Sequence, residues 1–131
     1  MNTMIKWSGY GREMRPPFES LDVPVAHFDL EREVERLKSE EAWRDSGHNG
    51  KTLAKQPHLR VVLTVLKANH RVPSHRVRGA STIQVLSGRA RVRCGRRTID
   101  VVPGQVAVLA AGVSVDVEAV SDCGFVLTFM A

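Results

Sequence analysis

The chain has 131 residues, 43% of them apolar and 25% charged, with a formal net charge of +5. That length is one domain able to bury a core without disulfide or metal staples, and the composition excludes a disordered polyelectrolyte. Aromatic residues make up 5%, too few for a surface that stacks on nucleic-acid bases.

Residues 1 to about 20 lack a hydrophobic period and are punctuated by Gly9, Gly11, Pro16 and Pro17, so they read as an irregular N-terminal arm. Leu21 to Phe28 reads as a short strand or extended segment. A helix is expected over about 29–45. Asp29 can cap it, Glu31 and Glu33 suit the positive end of its dipole, and Leu30, Val34 and Leu37 share one face. Glu33/Arg36, Glu35/Lys38 and Arg36/Glu40 stand about one turn apart, and Gly47 suits the stop. Asp45 to Gln56 reads as a polar loop. The division expected is an arm with flanking helix over 1–58 and a β barrel over 59–131, forming one structural domain.

From there period two takes over. Arg60–Leu66, Val72–Val77, Ser81–Leu86, Arg89–Cys94, Thr98–Val102, Gln105–Leu109, Ser114–Ala119 and Gly124–Phe129 read as short strands separated by Gly and Pro turns. Such a series is all-β, a sandwich or barrel. Arg89, Arg91 and Arg93 alternate with Ala90, Val92 and Cys94, a half-buried strand with a basic outer face continued by Arg96 and Arg97 at the turn. Cys94 and Cys123 fit no disulfide or C-x-x-C pattern, and the first residues lack a signal-peptide core. The expected compartment is therefore the cytoplasm. The longest uncharged run, Val101–Val115, is broken by Pro103, Gly104 and Gly112 and is shorter than the ~20 residues of a membrane helix. No membrane partner is expected.

The stretch Asn69–Val115 resembles the two motifs of the cupin superfamily, G-x5-H-x-H-x3,4-E-x6-G and G-x5-P-x-G-x2-H-x3-N. Asn69 stands at the first glycine, His75 at the first histidine and Gly88 at the closing glycine; Gly104 and Gly112 hold both glycines of the second motif. The resemblance implies a jelly roll, or double-stranded β-helix barrel, in a small single-domain protein that forms homodimers. It also implies a metal held by two histidines and a glutamate of the first motif and a histidine of the second. Carried over, these positions are His75, Val77, Ser81 and Val115, while Ala110 and Ala119 replace the second motif's proline and asparagine. Three of the four donors are missing. One imidazole, as a quarter share of the ~10–16 kcal/mol of a structural zinc site, would bind only near the millimolar range. No metal or other cofactor is expected.

His70 and Gln84 are the remaining candidates for a rebuilt site, but Gln84 has the opposite strand parity to Ser81. A Ser81, His75, Asp116 arrangement lacks a nucleophile elbow or oxyanion hole. The preferred expectation is a non-catalytic cupin binding a small molecule in the barrel or serving structurally. Its pocket walls would be Val77, Ser81, Ile83, Val85, Val115 and Val117, with His75 at the mouth. The alternatives are a metal-dependent cupin enzyme of dioxygenase or isomerase type, and a basic interaction module. Nucleic acid is not expected as a partner, since no reading motif accompanies the arginines.

Overall fold

The computed structural model describes residues 24–130. The N-terminal arm lies outside them. Of the strand expected over Leu21–Phe28, the described part has no regular structure, and Phe28 packs against the helix-side core. Asp29 caps α1 (Leu30–Lys38) as expected, its Oδ1 accepting from the Arg32 amide at 3.2 Å. The single helix expected over 29–45 is instead two. The Ser39 hydroxyl donates back to the Arg36 carbonyl at 2.7 Å, Glu40 turns extended, and α2 (Glu41–Ser46) starts afresh. Serine competes for backbone hydrogen bonds in this way, which is why it ends helices. Gly47 terminates α2 at φ 79°, a left-handed cap that glycine adopts without a Cβ clash.

Nine strands follow: β1 (His48–Gln56), β2 (Leu59–Leu66), β3 (Arg71–Arg76), β4 (Ser81–Ser87), β5 (Ala90–Cys94), β6 (Arg97–Val101), β7 (Val106–Leu109), β8 (Ser114–Ala119) and β9 (Cys123–Phe129). They form two antiparallel sheets, ordered β1-β2-β9-β4-β7 and β3-β8-β5-β6. The polar loop expected at 45–56 is corrected to β1, which pairs along β2 with a bulge between Thr52 and Ala54. Its polar residues hide the strand in the sequence, yet Thr52 and Leu53 are buried.

The inner faces of the two sheets enclose one core, including Val85, Val92, Val117, Phe125 and Leu127. The outer face of the five-stranded sheet carries a second. There Val34, Leu37 and Trp43 of the helices pack on Leu53, Leu63, Val65 and Val126. Alternation along each strand feeds both cores, as the near-continuous burial of β2 and β9 requires. Asn69 sits at φ 71° between β2 and β3, a conformation asparagine tolerates better than most residues. Gly88 is required twice over: its φ is +73°, and a Cβ there would fall on the Asp122 carbonyl oxygen.

Candidate functional site

The strand register assembles the motif positions. β3 and β8 pair so that His75 lies opposite Val115, and β8 and β5 so that Val115 lies opposite Cys94. β6 extends that row to Arg97. The next row outward carries Arg76 opposite Ser114. Beyond β3, Val77 is held to the β7–β8 turn by two backbone bonds: its amide donates to the Val113 carbonyl at 3.4 Å, and its carbonyl accepts from the Gly112 amide at 2.9 Å. Positions distant in sequence, 75–77 and 112–115, therefore meet at one end of the four-stranded sheet. Ser81 opens β4 on the facing sheet, opposite both Leu109 and Phe129.

The expected walls Val77, Ile83, Val85, Val115 and Val117 belong to a single packed cluster, each between 0% and 6% exposed. Ser81 is buried beside them at 3%. Gln84 is exposed on the opposite face of β4, as its parity requires. His70 is also exposed, and its ring lies against Gly47 at the end of α2 while Nδ1 faces the Ala68 carbonyl at 3.3 Å. Asp116 is 3.5 Å from the Arg93 guanidinium in the charged ladder described below. The Ser81, His75, Asp116 grouping therefore places its acid in that ladder.

The donor set does not fit a cupin metal centre. Valine at 77 and 115 has no lone pair to give, and the Ser81 hydroxyl is a poor substitute for a carboxylate. Among the described residues no three of His, Cys, Asp and Glu gather where they could hold an ion.

Charge on the four-stranded sheet is segregated. Arg91 donates to both Asp100 oxygens at 2.9 and 3.2 Å, and Arg89 reaches the same carboxylate at 3.4 Å. These bonds, Arg91 first, hold the Asp100 carboxyl below its ordinary range and push the Arg91 guanidinium higher. Arg93 contacts Glu118 at 2.7 Å and Asp116 at 3.5 Å. The basic face expected of Arg89, Arg91 and Arg93 is thus a neutralised ladder. At the rim where 75–77 meet 112–115, Arg76 and Arg97 are exposed, as are Arg78 and Arg96 just beyond the strands. Arg76 donates to the Gly112 carbonyl at 3.0 Å. Sequence reading passed over Arg76 and Arg78, although the four basic residues Arg71, His75, Arg76 and Arg78 within eight positions were available as a signal.

A family model of AraC-like ligand binding domains matches residues 61–130. No functionally curated protein matches by sequence. Among solved structures, a conserved protein of unknown function from Streptococcus pyogenes is similar over 86% of this chain and 93% of its own, with 20% identity and a TM-score of 0.66. A cupin superfamily protein from Desulfitobacterium hafniense is 17% identical over 63% of this chain and 76% of its own, with a TM-score of 0.61. Salicylate 1,2-dioxygenase from Pseudoaminobacter salicylatoxidans superposes with a TM-score of 0.71 and 17% identity, over 85% of this chain and 34% of its own. At these identities the likeness is one of fold.

Proposed function

Because the chain belongs to the family of AraC-like ligand binding domains and has the cupin fold, we propose that it binds a small molecule without metal-dependent catalysis. The observation that carries this reading is the replacement of three metal-donor positions by Val77, Ser81 and Val115, with Val115 still in register beside His75. The scaffold that brings those positions together is kept while their chemistry has become aliphatic.

The ligand is a small organic anion. Its apolar body suits Val77, Ile83, Val115 and Val117, and its carboxylate or phosphate suits the rim arginines Arg76, Arg78, Arg96 and Arg97. Guanidinium groups bind such anions in a planar, two-bond geometry. Since the aliphatic walls close on one another, entry requires the 77–80 segment to part from the 110–113 turn. Only the two Val77 backbone bonds and the Arg76–Gly112 bond join these segments among the described hydrogen bonds.

Two measurements test the proposal. Thermal unfolding across a panel of organic acids and their neutral amides should find an acid that raises the melting temperature, since ligand at a hundred times its Kd adds ~2.7 kcal/mol. Arg76→Ala and Arg97→Ala should weaken that shift. Elemental analysis of protein purified without metal-affinity resin should find substoichiometric Fe, Zn, Mn and Ni. Stoichiometric metal would overturn the non-catalytic reading, and the absence of any shift across the panel would overturn the binding one.

A further inference from the structure

Two neighbouring cations of the five-stranded sheet point inward. In β2, Val62 and Leu66 belong to the core between the sheets, while Leu63 and Val65 belong to the core under the helices. Arg60 has the parity of Val62 and pairs with Phe129 of the inner core, so its side chain starts on the inner face. Lys55 lies directly opposite it on β1. Thr52, across the bulge, pairs with Val62 and faces the same way. The row Lys55, Arg60, Phe129, Ser81, Leu109 therefore carries two cations and no acid, at the end of the sheet that Ser81 opens.

Like charges directly opposite on paired strands destabilise a sheet. By contrast Lys51, on the outer face of the same strand, meets Glu33, and on the other sheet Arg91 meets Asp100 and Arg93 meets Glu118. Among the described residues no ion pair forms at Lys55 or Arg60. Arg60 Nε and Thr52 Oγ1 are shut off from solvent with no hydrogen-bond partner, and Thr52 is 0% exposed. Buried polar groups are nearly always hydrogen-bonded, so two unpartnered donors beside a pair of like charges call for an acceptor. The acceptor that also relieves the charge is an anion.

We infer that Arg60, Lys55 and Thr52 form the seat of a carboxylate on the inner face of the five-stranded sheet. The guanidinium edge, Nε–H with an adjacent Nη–H, matches the two oxygens of a planar carboxylate. Lys55 adds charge, and the Thr52 hydroxyl donates a further hydrogen bond. The inference rests on the ligand reading above and deepens it: the exposed Arg76 and Arg97 draw the acid to the mouth, and Arg60 holds it inside.

Sodium acetate is the probe. In NMR spectra of the isotope-labelled full chain, the Arg60 Nε–H resonance is identified by its absence from Arg60→Lys. It should move saturably with acetate and stay in place with sodium chloride at equal ionic strength. Lys55→Gln and Thr52→Val should each raise the acetate dissociation constant, Lys55→Gln at least ~10-fold. Thr52→Val conserves shape, so its loss of acetate binding is not a loss of fold. Arg60→Gln removes the like-charge contact, so the ligand-free melting temperature should rise while the stabilisation given by a panel acid disappears. A residue held only for structure would lower it. A resonance indifferent to acetate overturns the inference. So does a panel acid whose stabilisation survives Arg60→Gln, an outcome that leaves the ligand reading standing. A saturable acetate shift with no stabilising acid in the panel supports the carboxylate seat and removes the larger ligand.

Discussion

His48 and His70 share the corner where β1 leaves the helices. Burial, and secondarily the charge of His70, lowers the His48 pKa from its ordinary 6.5. The unfolded chain therefore takes up this proton before the folded one does. The native state has its full margin above pH 6.5 and loses part of it as the pH falls through the folded-state value. Melting temperature measured against pH should fall less steeply on the acid side for His48→Gln than for the wild type. Burial also pushes the Cys123 thiol up to about 11, so it stays protonated at neutral pH and acts as a small core residue. At this scale much was legible. Strand parity alone separated Gln84 from Ser81, and the motif spacing set Asn69 at a glycine position. The contact of His70 with Gly47 was not legible, because it joins two connections that meet only after the sheet has formed.

Among the elements, β1 and the helices are joined by Asn49. Its buried amide donates to the Leu37 carbonyl and to Glu40 Oε1, both at 2.9 Å, and its Oδ1 accepts from the Gly50 amide at 2.9 Å. One side chain thus fastens the end of α1, the start of α2 and the first strand. Asn49→Ala should cost ~1–3 kcal/mol by urea denaturation, the range for stranding buried hydrogen-bond partners. Glu33 makes a second tie: it is 3.0 Å from Lys51 on β1 and 3.6 Å from Arg36. Trp43 completes the layer, with the Lys38 and Lys67 ammonium groups 5.3 and 5.4 Å from its ring centroid. The cap at Asp29 and the stop at Gly47 could be read from residue chemistry alone. The break at Ser39 and the strand at 48–56 could not. Both depend on Asn49 and Leu53 finding partners supplied by other elements.

For the whole molecule, the alternation of apolar and polar residues was enough to give a sandwich or barrel, and the family resemblance carried by the glycine frame implied the jelly roll. They did not give the strand order, which depends on contacts distant along the chain. β9 pairs with β2 on one side and β4 on the other, and Phe125 at its centre is fully buried. Phe125→Ala should cost ~3–5 kcal/mol, a large part of the ~5–15 kcal/mol that holds a domain of this size together. Chemical denaturation measures it. The central place of β9 also governs how the protein is made. At ~5–20 residues per second, the ribosome takes a few seconds to polymerise the chain between Ser87 and Cys123. Throughout that interval the flanks of nascent β2 and β4 that β9 will cover stay bare to solvent, so protection of the growing polypeptide matters most just before β9 leaves the exit tunnel.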